Sequence, residues 1–123
     1  MCAVRAAPSF DAAVDRAEEL LRRLALNDEQ SVGMVLASGT VPDADPVLVP
    51  KVDLLVRLGA LVAVGAATAS LKRTVQLALA AGATETEIVG VLVAVAPTVG
   101  LARVVATAPK LATAIGYDTI TEE

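Results

Sequence analysis

Residues 82–92, Gly82-Ala83-Thr84-Glu85-Thr86-Glu87-Ile88-Val89-Gly90-Val91-Leu92, decide the fold class. Thr84 followed three residues later by Glu87 is a capping box. The threonine oxygen accepts from the N–H at the third helical position, and the glutamate reaches back to the threonine N–H. Gly82, just before it, fits the left-handed C′ position that closes a preceding helix. The stretch therefore reads as a junction between two helices. Leu77, Leu79 and Ala81 belong to the helix that Gly82 ends, and Ile88, Val91, Leu92 and Val95 recur at helical spacing on the helix that the box opens. The valine-rich run 89–95 also suits a strand, but the caps and the Ala and Leu content favour helix.

Outward from this junction the punctuation continues. Pro97 is expected to stop the fifth helix. A sixth is predicted through Val104 and Val105, bent or restarted at Pro109 and closed by Gly116. On the N-terminal side, Pro50 fits the first turn of a third helix containing Leu54, Leu55, Leu58, Leu61 and Val62. The stretch Gly65 to Ser70 interrupts it or connects it tightly to the fourth. Residues 39–50, with Pro42, Asp43, Asp45 and Pro46, read as a loop. Asn27 followed by Gln30 predicts a capping box for a short second helix through Val32, Val35 and Leu36, closed by Gly39. Ser9 is the expected N-cap of the first helix, with Asp11 in its first turn. Val14, Ala17, Leu21 and Leu24 form its predicted apolar face. Asp15, Glu18, Glu19, Arg22 and Arg23 form its charged face, with i,i+4 pairs Glu18–Arg22 and Glu19–Arg23. The expectation is an all-α bundle of about six helices in a single domain, 1–123, with amphipathic N-terminal helices over 9–38 and an acidic tail over 117–123.

Composition points to association. Hydrophobic residues make up 55% of the 123 even before the 8 glycines are counted, against ~45–50% with glycine in soluble domains. A compact monomer of this mass exposes roughly 6,000 Å², more than 10 basic and 14 acidic side chains can cover. Burial between copies of the chain is expected. Gly59, Ala63, Gly65, Gly90, Ala94 and Gly100 allow helix axes to approach closely, and with aromatics at 2% the packing falls to Leu and Val. The uncharged stretches Leu58–Leu71 and Ile88–Ala102 are shorter than the roughly 18–20 residues of a membrane span, so no membrane partner is expected.

The chain contains no histidine. That removes Ser-His-Asp and Cys-His nucleophiles, His-ligated metals and an imidazole proton shuttle. The single cysteine, Cys2, forms neither an intrachain disulfide nor a CxxC pair. With no signal-peptide pattern, this leads to the expectation of a cytoplasmic protein. A formal charge of −4 without basic runs argues against nucleic acid as a partner. No metal and no cofactor are expected.

The segments Gly59-Ala60-Leu61-Val62-Ala63-Val64-Gly65, Leu71, Ala78 to Leu92 and Gly100 resemble the carboxymuconolactone decarboxylase family, which includes the alkyl-hydroperoxidase D type peroxidases. The similarity covers a family-like core, residues 49–114, and its most specific part is Gly82-x-Thr84-x-x-Glu87-Ile88-x-x-Val91-Leu92. The resemblance implies an all-helical fold of two-helix hairpins, assembling as trimers or hexamers. It also implies reactive positions that this chain lacks. The peroxidase branch places Cys-x-x-Cys-x-x-x-His in a frame that here reads Ala67, Ser70 and Thr74, and its assisting carboxylate falls near Leu55. The decarboxylase branch has a histidine at Thr74 and an aromatic at Thr98. Peroxide reduction requires a thiolate and a resolving thiol, so that activity is excluded.

The remaining candidates are ligand-binding ones. Ser70 and Thr74 are i,i+4 hydroxyls near the head of the fourth helix that can orient a ligand or water; N-capping by Thr68 or Ser70 and backbone bonding by Thr74 are the structural alternatives. Asp53 and Arg57 can hold a carboxylate and donate a proton, or form an exposed pair contributing about 0.3–0.5 kcal/mol. Arg73 and Arg103 fit bidentate carboxylate binding, against interface or snorkelling roles. Glu85 and Glu87 are assigned to capping. Two functions follow: a member binding a small apolar carboxylate or lactone, catalytically silent or weakly active, and a non-redox decarboxylase or isomerase of the same compounds.

Overall fold

Three connections of very few residues govern the C-terminal part of the chain. Pro50–Val64, Thr68–Ala80, Glu85–Val99 and Leu101–Ile115 are helices α3 to α6, preceded by α1 (Phe10–Ala25) and α2 (Glu29–Ser38). The computed structural model describes residues 10–40 and 46–117, and among these there are six helices and no strand. The chain divides into two compact units, residues 1–47 and 48–123. Ser9, Cys2, Pro42, Asp43, Asp45 and most of the acidic tail lie outside the described residues.

In the first unit α1 and α2 pack together. The ion pairs expected on α1 are present: Arg22 to Glu18 at 3.5 Å and Arg23 to Glu19 at 3.1 Å, with Arg22 to Glu19 at 2.7 Å besides. The inward face differs from the expected one. Leu20 and Leu24 are half-buried, whereas Ala17 is exposed and Leu21 is 67% exposed. A 10-residue partner helix covers only a narrow stripe of α1, so the wider predicted face is not used within this unit.

The start of α2 also departs from expectation. Asn27 does not cap it; Asp28 does, its carboxylate accepting from the Ser31 N–H at 3.0 Å. Asn27 is already committed as the C′ residue of α1, with φ 59°. The bonds Asn27 N–H to Leu24 O and Asp28 N–H to Arg23 O form a Schellman closure there.

The second unit is two helical hairpins, α3–α4 and α5–α6. The first hairpin turns at Gly65, φ 72°, where Gly65 N–H bonds Val62 O and Ala66 N–H bonds Leu61 O. Gly82, φ 103°, closes α4 in the same way, with Ala83 N–H on Ala78 O. A left-handed residue is required at both, and glycine adopts it without a Cβ penalty. Contacts join α3 to α5 and α4 to α6. Lys51 and Glu87 meet at the starts of α3 and α5, and Gly59 of α3 faces Val91 and Val95 of α5. The hairpins therefore lie side by side with their turns at the same end.

Pro97 does not stop α5, and Pro109 does not restart α6; both lie inside continuous helices. Each proline deletes the i→i−4 bond to a valine carbonyl, Val93 or Val105. Those valines and both prolines are exposed, so the freed carbonyl lies on the outer side of its helix and the helix runs on to the following glycine.

The core holds Leu58 and Val62 of α3, Leu71, Val75 and Ala78 of α4, Ala83, Ile88 and Leu92, and Leu111 and Ala114 of α6. Among the described residues it contains no aromatic side chain. Close approach at a small residue is realised at Gly59, buried against Val91 and Val95, and at Gly65. Ala63, Gly90, Ala94 and Gly100 are exposed instead. No described helix is long and apolar enough to cross a membrane.

Ile88 is fully buried, so Ile88→Ala should cost about 2–5 kcal/mol of folding stability, read as a lower denaturant midpoint. A methyl group added at Gly90 would meet nothing within 4 Å, and Gly90→Ala should be neutral or stabilising by up to about 1 kcal/mol in the same measurement.

Candidate functional site

The two ends of the second unit have opposite chemistry. At one end lie the starts of α3 and α5 and the ends of α4 and α6. The capping box is complete: Glu87 N–H donates to Thr84 Oγ1 at 3.0 Å and Thr84 N–H to Glu87 Oε1 at 2.9 Å. Lys51 Nζ donates to Glu87 Oε2 at 3.2 Å. The Thr84 N–H, then Lys51, hold the Glu87 carboxyl below its ordinary range. Glu85, expected only to favour the helix start, also accepts from the Tyr117 hydroxyl at 2.7 Å, and this bond raises the phenol above its ordinary value. On the N-terminal half of α3, Arg57 Nε meets Asp53 Oδ1 at 3.2 Å, both side chains more than a third exposed. Among the described residues no group of three or more Cys, Asp or Glu is placed to hold a metal ion.

At the opposite end lie the α3–α4 turn and Gly100. The N-cap of α4 is Ala67, with no side-chain cap bond. Neither Thr68 nor Ser70 caps the helix, because the Schellman closure at Gly65 and Ala66 brings the chain into helical geometry at Thr68, one residue too early for Thr68 to serve and three too early for Ser70. Ser70 and Arg73 are exposed and Thr74 is half-buried. The three positions that the resemblance assigns to the reactive frame are thus an N-cap alanine, a first-turn serine and a threonine one turn on. Leu55 is half-buried on α3.

Thr98 is exposed near the end of α5, and Arg103 is half-buried in the first turn of α6. The Arg103 guanidinium lies on Gly65: a Cβ there would collide with Nη1. Of the seven sequence-derived candidates, Ser70, Thr98 and Arg103 sit on the turn end, Asp53 on the capped end, and Arg57, Arg73 and Thr74 further along their helices. Among the described residues Arg103 has neither an ion pair nor a hydrogen-bonding acceptor.

Three long-range contacts have no local signature in the sequence: Lys51–Glu87, Tyr117–Glu85 and Arg103 on Gly65. Lys51–Glu87 and Arg103 on Gly65 depend on the parallel alignment of the two hairpins, and Tyr117–Glu85 on the closure of the α5–α6 hairpin, neither of which helical periodicity specifies. The turn end carries the Ser70 and Thr98 hydroxyls and the Arg103 guanidinium. It offers neither a thiol nor an imidazole for proton or electron transfer.

A sequence model of the carboxymuconolactone decarboxylase family matches residues 35–113. The match begins within α2, N-terminal to Val49, and takes in nearly all of the second unit. Comparison with curated proteins and with solved structures gives no match.

The chain has one tyrosine and no tryptophan, so its absorbance near 295 nm reports Tyr117 alone. The titration midpoint should lie above the ordinary 10.0, and Glu85→Ala should bring it back. A depressed folded pKa at Glu87 contributes stability above the ordinary glutamate value of 4.5, lost as pH falls through the depressed value. Melting temperature should accordingly fall more steeply with acid in the wild type than in Glu87→Gln.

Proposed function

The chain belongs to the carboxymuconolactone decarboxylase family, and on that premise we propose that it holds a small apolar carboxylate or lactone and is catalytically silent or weakly active. One observation carries the reading: the family's reactive frame is occupied by Ala67, Ser70 and Thr74 at the head of α4, in a chain without histidine and with its single cysteine at position 2. An unactivated hydroxyl is a poor nucleophile, whereas hydroxyls and a guanidinium suffice to orient and bind an anion.

The second reading, a non-redox decarboxylase or isomerase, is supported by Arg103 at the same end as Ser70. A fixed cation beside an apolar wall can stabilise a developing enolate without an imidazole. The two readings differ in turnover, not in ligand.

Self-association is part of the proposal. Between Glu87 and Arg103 the chain carries no charged side chain. The outer side of α5 presents Val89, Gly90, Val93, Ala94 and Pro97, and that of α6 presents Leu101, Ala102, Val105 and Ala106. Uncharged surfaces of this kind are normally covered, and further copies of the chain, as trimer or hexamer, are the expected cover. A cytoplasmic location accompanies this reading.

Purified protein should bind members of a panel of short-chain carboxylates and lactones by isothermal titration, and leave both peroxide and the panel compounds chemically unchanged. Steady conversion of a panel compound would favour the enzyme instead, and binding of none would overturn the reading. Sedimentation in physiological salt should give a multiple of 12.5 kDa; a stable lone protomer would remove the self-association.

A further inference from the structure

We propose that Arg103 is the anchor for the ligand's charge, and that the site selects a free carboxylate bearing an apolar body over the neutral ester or lactone. The inference deepens the ligand-binding reading above and rests on it. Its starting point is the state of one side chain. Arg103 is half-buried, and its guanidinium is laid against Gly65, where only the missing Cβ leaves room for it. Arg22 and Arg23 pair with Glu18 and Glu19, and Arg57 with Asp53, while Arg73, which has no ion pair among the described residues, is exposed to water. Arg103 has no such partner among the described residues. A partly desolvated guanidinium without a counter-ion is costly, and its planar fork matches a carboxylate bidentately.

The surroundings agree in sign. The first turns of α3 and α5 hold Asp53, Glu85 and Glu87, whereas the first turns of α4 and α6 hold no acid. An incoming carboxylate therefore meets no acid from these first turns at this end. The apolar part of the ligand has surface to cover as well. Val64 precedes Gly65 and Leu101 follows Gly100, and they are 72% and 78% exposed. A ligand with a carboxylate head and a short hydrocarbon body satisfies both requirements; a neutral lactone leaves the guanidinium unpaired.

Isothermal titration of the full chain with hexanoate, and with methyl hexanoate as its uncharged counterpart, tests this. Wild type should bind hexanoate, and the ester at least about tenfold more weakly. Arg103→Gln should weaken hexanoate binding by about tenfold to a hundredfold. Arg103→Lys should fall between, and Arg22→Gln, which removes one cation elsewhere, should match wild type. Equal binding of acid and ester, or wild-type affinity in Arg103→Gln, would overturn the anchor while leaving the ligand-binding reading standing. If wild type binds no carboxylate or lactone of the panel, that reading falls and the anchor with it. Should Arg103→Gln fail to fold, the nitrogen-15 spectrum of wild type decides: the Arg103 Nε–H signal should move saturably with hexanoate and not with the ester, and a stationary signal overturns the proposal.

Discussion

Connections of three, four and one residues join α3 to α4, α4 to α5 and α5 to α6, and this brevity is the constraint from which the second unit follows. A reversal this short lays α4 back along α3 and α6 back along α5, and at the α4–α5 turn it passes the chain to a helix packed on α3 and α6. It is possible because the backbone is closed by its own carbonyls, at Gly65 and at Gly82. Once the hairpins are set, side chains no larger than leucine fill the space between them. An aliphatic core of this kind draws its stability from close approach of many small contacts rather than from a few large anchors. Gly59 between Val91 and Val95 is where that approach is most direct.

The same constraint sorts the polar groups. Parallel hairpins bring like ends together, so the starts of α3 and α5 share Lys51, Asp53, Glu85 and Glu87, and the uncapped starts of α4 and α6 share Arg103. The family's reactive frame falls on the uncapped end. The positions that the resemblance assigns to that frame, Ala67, Ser70 and Thr74, carry neither a thiol nor an imidazole.

Much of this is legible in the chain because caps are local. Thr84 with Glu87, Gly65, Gly82 and Gly116 each act within five residues, and each stands where the sequence places it. The departures have local causes too. Asn27 and Asp28 are both competent caps, and the competition is decided by which helix claims the first of them. Pro97 and Pro109 read as breakers because proline in a helix interior usually is one; their position on the outer face changes the outcome. The inward stripe of α1 differs from the expected one because periodicity gives the width of an apolar face, not the size of what covers it. The candidate site is only half legible. Residue types on α4 and α6 can be named, but the placement of Arg103 on Gly65 joins positions 38 apart along the chain through tertiary alignment alone.

The two outer-face prolines also determine how wet a covered surface here can be. Each denies one backbone oxygen, on Val93 and on Val105, its i+4 donor. Both valines are exposed, so a neighbour seated over either oxygen would have to bring a hydrogen to it or admit solvent there. A covering partner there would meet apolar side chains interrupted by two backbone acceptors at fixed points, which would give an otherwise featureless greasy surface a means of choosing alignment.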